Sequence, residues 1–317
     1  MVLDFIDIKK EDISLAGGKG ANLGELTSAK INVPNGFVIT ADAYKAFLKE
    51  NGIDKIIEKN LREASFDEST LLKAAEYFRK LIISGKFSKE MQQLITDKYR
   101  SLGENIRVAI RSSATAEDLP DASFAGQQES YLNVQSIDDI LSKILKCYAS
   151  LWGNRAVSYR LHQGYDQTCV SIAVIVQEMV ESEKSGVLFT INPLSQNADE
   201  MQINASYGLG ESVVSGRVTP DIYIVQKDGK LLESTIGSKK TKIVYGSKDT
   251  IEIAVDEDKR KARVLNDNEI SELVNCGLKI EKHYHMPMDI EWAVKDNKVY
   301  ILQARAITTL KNDNEKA

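Results

Sequence analysis

Long apolar runs are missing from this sequence. The longest, residues 172–176 ahead of Gln177, is far too short to cross a bilayer. The opening residues, MVLDFIDIKKED, lack the basic-then-apolar order of a signal peptide, so a cytoplasmic protein is expected. Cysteine is scarce: Cys147, Cys169 and Cys276 are an odd, widely spaced set without CxxC spacing, which excludes a disulfide framework and predicts ordinary buried thiols. Positive charge is in deficit, and a formal net charge of −5 argues against the dense basic field on which duplex binding rests, while leaving room for a local basic pocket. No GxxxxGK[ST] spacing occurs, so there is no Walker A loop. Histidine is limited to His162, His283 and His285, and the Lys-His-Tyr-His around the last two reads as a solvated helix end.

What is present is globular. With 43% hydrophobic and 27% charged residues the chain is neither disordered nor membrane-like. At 317 residues it can bury a large core and is expected to divide into lobes.

The chemistry concentrates in residues 108–134, VAIRSSATAEDLPDASFAGQQESYLNV. Val108, Ala109 and Ile110 read as the end of a buried strand, which delivers Arg111, Ser112, Ser113, Thr115, Glu117 and Asp118 to one rim. Arg111 offers a planar fork of donors that matches phosphate oxygens, and hydroxyls and small residues let backbone N–H groups approach an anion. A surface loop with a solvated Arg–Glu pair would use the same residues, and the stretch alone leaves both open.

Other segments carry weaker signals. Gly17-Gly18-Lys19 is a glycine turn feeding a helix, where a first-turn Lys opposes the helix dipole and so points to an anion nearby. Thr40 is expected to cap a helix carrying Tyr44, Phe47 and Leu48, and residues 55–99 read as two or three scaffold helices. Residues 137–156 read as one helix packed on the sheet. Residues 171–180 resemble a central strand ending at Gln177 and Glu178. Gly208-Leu209-Gly210-Glu211 is either a glycine-rich corner or a loop near a ligand, with Glu211 serving the ligand or the neighbouring backbone. The lysines at 239, 240 and 242 are expected to face water, and Asn266 or Asp267 to start an amphipathic helix.

Residues 288–294 and 299–305 should form an antiparallel hairpin. With Asp296-Asn297-Lys298 as the loop, Glu291 faces Gln303 and Asp289 faces Arg305; with a two-residue Asp-Asn loop, Gln303 turns to the other side. Composition does not decide between them. In the first register a carboxylate, an amide oxygen and a guanidinium share a face, an arrangement suited to Mg²⁺ bridging phosphates.

RSSATAEDLPDASFAGQ, together with Gly17-Gly18-Lys19, Gly208-Leu209-Gly210-Glu211 and Ile290-Glu291-Trp292…Gln303-Ala304-Arg305 in that order, resembles the nucleotide-binding domain shared by phosphoenolpyruvate synthases, pyruvate phosphate dikinases and rifamycin phosphotransferases. The resemblance covers about the whole chain. It implies an α/β (α+β), ATP-grasp-like fold over residues 1–310, with lobes of about 1–180 and 181–310, ATP between them, and a polar tail at 311–317. It implies that Lys19, Arg111 and Arg305 contact ATP and act electrostatically in transfer, and that Gln177 and Glu178 line the adenine pocket. It also assigns Gly126, Ser130 and Glu211 to the nucleotide and Glu291 and Gln303 to Mg²⁺, and so selects the first hairpin register.

In the resembled enzymes a swivelling domain supplies a histidine, in a glycine- and threonine-rich motif, that carries the phosphoryl or pyrophosphoryl group to a distant acceptor. None of the three histidines here lies in such a motif, so the carrier and the pyruvate- or rifamycin-type acceptor site are expected on other domains or subunits. The leading reading is the ATP-binding part of a phosphoenolpyruvate synthase, which turns ATP, pyruvate and water into AMP, phosphoenolpyruvate and phosphate. The alternatives are the same module in a rifamycin phosphotransferase, or a non-enzymatic ATP-binding regulatory subunit.

Overall fold

The computed structural model describes residues 1–63, 67–115 and 129–307. By its contacts the chain divides into two units, Met1–Glu25 with Asn35–Met179, and Leu26–Pro34 with the chain from Val180 onward. Leu26–Pro34 belongs with the second unit because Leu26 and Ile31 are buried in its core and the Ile301 N–H donates to the Asn32 carbonyl at 2.9 Å.

The first unit contains β1 (Val2–Asp4), α1 (Ile13–Ser28, of which residues up to Glu25 belong here), β2 (Gly36–Ile39), α2 (Ala41–Glu50), α3 (Ile53–Glu63), α4 (Glu68–Ser84), α5 (Lys89–Leu102), β3 (Val108–Ala114), β4 (Ser130–Val134), α6 (Ile137–Ser150), α7 (Asn154–His162) and β5 (Ile172–Glu178). The helices start where side chains satisfy their free N–H groups. Asp67 accepts from Thr70, Ser88 from Met91 and Ser136 from Asp139, each cap contributing about 1 kcal/mol. Thr40 stands at the start of α2, yet its hydroxyl donates to the Met1 carbonyl at 3.2 Å instead of capping. The single helix expected over 137–156 is two, α6 and α7, with Gly153 at the start of the second.

Among the described residues the strands form a five-stranded sheet in the order β1-β2-β5-β3-β4, with every neighbouring pair antiparallel. Successive side chains alternate between its faces. Phe37, Ile39, Val108, Ile110, Val174 and Val176 point to one face and are buried with apolar residues from α2 to α7, each large side chain contributing about 1.5–3 kcal/mol. The central strand β5 is buried from Ile172 through Gln177. Cys147 lies in this core, whereas Cys169 is exposed and departs from the expectation of buried thiols.

The second unit contains β6 (Lys184–Phe189), β7 (Glu200–Tyr207), α8 (Glu211–Val214), β8 (Asp221–Gln226), β9 (Leu231–Thr235), β10 (Thr241–Tyr245), β11 (Thr250–Ala254), α9 (Glu257–Lys261), α10 (Asp267–Tyr284), β12 (Met288–Lys295) and β13 (Lys298–Ala306). Its six-stranded antiparallel sheet runs β13-β12-β6-β7-β8-β9, and β10 pairs with β11 apart from it. Asn266 and Glu269 form a reciprocal capping box that starts α10, and Ile270, Leu273, Val274 and Ile280 pack against Leu188, Ile203 and Trp292. Both units are α+β, the class expected from the sequence.

Lys239 corrects the expectation that its cluster faces water. It is fully buried, pairs with the Asp221 carboxylate and donates to the Gly237 carbonyl at 3.1 Å. Asp221 also accepts from the N–H groups of Gly237 and Val264, each at 2.8 Å, and from the Tyr223 hydroxyl at 3.0 Å. The pair therefore ties β8 to the residues before β10 and α10. Lys239→Met would leave that carboxylate buried without its cation, and we expect a loss of about 3–5 kcal/mol in unfolding free energy by urea titration. Wild-type stability in that variant would show that the pair holds nothing together.

Candidate functional site

In the first unit the site begins at a residue with no side chain. Gly17 interrupts α1 with φ of +69°, and a Cβ there would lie 2.2 Å from Ser113 Oγ and 2.4 Å from the Ser113 carbonyl oxygen. Only glycine combines that backbone with that approach. Ser113 Oγ also accepts from the Gly20 N–H at 3.2 Å, although the two residues are 93 apart in sequence. The Gly-Gly-Lys and Arg-Ser-Ser motifs are thus parts of one structure, with the Lys19 backbone held against β3.

Arg111 is in the middle of β3, not past its end: the strand continues to Ala114. It continues because Ser112, Ser113 and Ala114 pair with Val174, Ala173 and Ile172 of β5, and the neighbouring hydroxyls bond to the protein. Ser112 Oγ accepts from the Glu129 N–H at 3.0 Å and the Ser112 N–H donates to the Glu129 carbonyl at 3.0 Å. The Thr115 hydroxyl donates to the Ser171 carbonyl and accepts from the Ser171 N–H, both at 3.1 Å. Hydroxyls expected to help an anion approach instead brace β3 to Glu129 and Ser171. Glu117, Asp118 and Gly126 lie outside the described residues.

Register gathers the other first-unit candidates. Arg111 pairs with Ser130 on β4 and Ile175 on β5, and Ala109 pairs with Gln177. Paired residues share a face of the sheet, so Arg111, Ser113, Ser130 and Gln177 occupy the face opposite the helical core. Gln177 is 3% exposed, and among the described residues its Nε2 has no hydrogen-bond partner. Leaving a buried donor unmet costs about 1–3 kcal/mol, so this amide calls for an acceptor beyond the described residues. Glu178 is one residue out of phase and falls on the other face by alternation, and burial pushes its carboxyl above the ordinary carboxylate range. A cavity of about 720 Å³ among Leu61, Leu71, Leu161 and Tyr165 lies on the helical side and holds none of these residues.

The second unit carries the remaining candidates. The β12–β13 hairpin turns on two residues, Asp296 (φ +50°) and Asn297 (φ +58°), and Lys295 faces Lys298. This corrects the three-residue loop that the resemblance selected. The pairing of Glu291 with Gln303 and of Asp289 with Arg305 is nevertheless present, because a bulge at Leu302 shifts the register between Trp292 and Glu291. Arg305 Nε and Nη2 both reach Asp289 Oδ2 at 2.8 Å, and its side chain is 61% exposed. Gln303 is buried and Glu291 half-buried. Among the described residues no hydrogen bond or ion pair engages the Glu291 carboxylate, and no group of three or more His, Cys, Asp and Glu side chains converges. A carboxylate and an amide oxygen in facing positions fit Mg²⁺, which takes one or two protein oxygens and keeps its other positions for water and phosphate.

The Gly208-Leu209-Gly210-Glu211 segment is a packed corner. Gly208 has φ of +77°, and a Cβ would meet the Ile243 carbonyl oxygen at 2.3 Å. Glu211 accepts from the Thr250 hydroxyl at 3.2 Å and pairs with Arg217 at 3.6 Å. Sequence reasoning missed the polar face of β7. EMQINASY alternates, with Met201, Ile203 and Ala205 in the α10 core and Gln202, Asn204 and Ser206 opposite, and that alternation was the available signal.

A family model described as pyruvate phosphate dikinase, AMP/ATP-binding domain, matches residues 13–317. The chain belongs to this family. Similar relatives include a protein named probable phosphoenolpyruvate synthase from Methanocaldococcus jannaschii, 46% identical over 98% of this chain and 27% of its own length. One of the same name from Methanothermobacter thermautotrophicus is 45% identical over 98% and 46%. A rifampicin phosphotransferase from Bacillus subtilis is 40% identical over 98% and 36%. The chain therefore spans between about a quarter and a half of these family members' lengths.

Glu178 offers a test of the electrostatics on β5. A carboxyl whose folded pKa is raised weighs against folding once the pH exceeds that pKa, and the penalty disappears as the pH falls below the unfolded value. Glu178→Gln is expected to raise Tm at neutral pH, and the gain to vanish below about pH 4. An equal gain at both pH values would mean that packing, not ionisation, is responsible.

Proposed function

We propose that this chain is the ATP-binding part of a phosphotransferase of the phosphoenolpyruvate synthase type. It binds ATP with Mg²⁺ and presents a phosphoryl or pyrophosphoryl group to a histidine on another domain or subunit; the complete system converts ATP, pyruvate and water to AMP, phosphoenolpyruvate and phosphate. The ATP-grasp-like reading of the two units and a cytoplasmic setting belong to this proposal, and no helix among the described residues is long and apolar enough to cross a membrane. The observation that carries it is the unmet Gln177 amide on the face of Arg111, in a chain of the AMP/ATP-binding family.

The work assigned to the residues is electrostatic. Arg111 offers two parallel donors to phosphate oxygens, and Lys19, held beside β3 by the Gly17 contact, adds a compact positive charge. Arg305, oriented by Asp289, supplies a third. Glu291 and Gln303 would hold the metal, which when bound neutralises phosphate charge. Fixed charges of this kind stabilise the transferred group without reorganising during transfer. Gln177 Nε2 donates to the nucleotide, and the adenine pocket is the place proposed for it. Ser130 and Gly126 are proposed nucleotide contacts, whereas the Glu211 bonds favour a bracing role.

The carrier histidine is proposed to lie outside this chain. His162 Nδ1 is 2.7 Å from the Ser158 carbonyl within its own helix, and His283 and His285 are exposed at the end of α10. Identity to the relatives named phosphoenolpyruvate synthase, 46% and 45% against 40% for the rifampicin phosphotransferase, favours the synthase reading over the antibiotic one. The full set of candidate residues argues against a purely regulatory subunit.

Calorimetric titration with a non-hydrolysable ATP analogue, with and without Mg²⁺, tests the proposal. Binding should need Mg²⁺, and Lys19→Ala and Arg111→Ala should each weaken it by about tenfold or more, the loss expected for one charge-assisted contact. Unchanged affinity in both variants would overturn the site. Glu291→Gln should blunt the Mg²⁺ dependence. Gln177→Leu should weaken the analogue while unfolding stability stays level or rises, since the unmet donor is gone.

A further inference from the structure

The face of the second unit's sheet that carries Glu291 holds further polar residues, on β7, that none of the preceding assignments uses. Glu291 pairs with Val187 and Val187 with Asn204, so Gln202, Asn204 and Ser206 rise from the same face as Glu291. This row is polar yet largely closed to solvent, with Gln202 7% and Ser206 0% exposed. Among the described residues Gln202 Oε1 and Ser206 Oγ have no hydrogen-bond partner. Two unmet polar atoms four residues apart on one face of a strand are hard to explain by packing, which would place apolar side chains there.

Gln202 also sets the orientation of its neighbour. Its Nε2 donates to Asn204 Oδ1 at 3.0 Å, which leaves Asn204 Nδ2 as the donating end. No hydrogen bond from Asn204 Nδ2 occurs among the described residues. Two strand spacings separate Glu291 from Asn204, about 10 Å between Cα atoms, and side chains converging from that separation can hold one polyphosphate. A neutral amide suits the position: it donates to a phosphate oxygen, whereas an Asp would repel both that oxygen and Glu291.

We infer that Asn204, oriented by Gln202, donates its amide N–H to a phosphate oxygen of the nucleotide whose metal Glu291 and Gln303 hold. The inference rests on the nucleotide reading proposed above. Asn204 is then a binding residue and Gln202 a positioning residue acting through it.

The test is calorimetric titration of the full chain and its variants with the non-hydrolysable ATP analogue and Mg²⁺, together with titration of Mn²⁺ alone read by its electron paramagnetic resonance. Asn204→Asp exchanges the donor for an acceptor of the same shape. It should weaken the analogue by about tenfold or more while leaving Mn²⁺ affinity equal or tighter, the split that separates a phosphate contact from a damaged fold. Asn204→Ala should weaken the analogue in the same direction, and it decides the matter if the Asp variant does not fold. Gln202→Leu should cause a smaller loss and add nothing on top of Asn204→Ala, as expected of a residue acting through Asn204. If both Asn204 variants bind like wild type while Lys19→Ala and Arg111→Ala bind weakly, this inference falls and the nucleotide site stands. If wild type itself does not bind the analogue, the nucleotide reading falls and takes this inference with it.

Discussion

The first unit depends on an empty space at residue 17. The backbone of α1 approaches β3 so closely that any Cβ would enter the Ser113 side chain and carbonyl, and the same serine accepts from Gly20. This contact brings a lysine from one end of the chain to a sheet in which β3, next to the central strand β5, carries Arg111. Because Ser113 and Arg111 are two apart on one strand, the surface that seats the glycine turn is also the surface that carries the guanidinium. Placement of α1 and exposure of a cationic face are consequences of one register.

The two units solve the same problem separately. Each has an antiparallel sheet with one apolar face against helices, and each leaves polar residues on the opposite face. In an ordinary half-buried sheet the second face is simply wet. Here Gln177 in one unit and Gln202 and Ser206 in the other are nearly sealed from solvent, with polar atoms unmet among the described residues. Such groups weaken the free protein, and their retention is understandable where a polar ligand completes them.

Much of this was legible in the sequence. Apolar spacing placed α4 and α10, β-branched residues identified β5 as a central strand, and the Gly-Gly-Lys and Arg-Ser-Ser segments stood out for their chemistry. What escaped notice depended on contacts between distant residues. Lys239 looked solvated because its partner, Asp221, is 18 residues away and nothing local marks the pairing. Ser112 and Thr115 looked available because their bonds to Glu129 and Ser171 follow from strand pairing, not from neighbouring sequence. The β7 row was visible as an alternation, but that its polar side is also buried could be learned only from the fold.

The bulge at Leu302 bears on how related hairpins should be compared. A two-residue turn with one extra residue in the strand, and a three-residue turn with none, bring Glu291 and Gln303 to the same pairing, because both leave 11 residues between them. The constrained quantity is therefore separation along the chain, and the turn motif is free to vary. A hairpin of this kind keeps the pair whether the extra residue sits in the strand or in the loop. An alignment that matches turn residues first would set such hairpins out of step, whereas one anchored on the acid and the amide would keep them together.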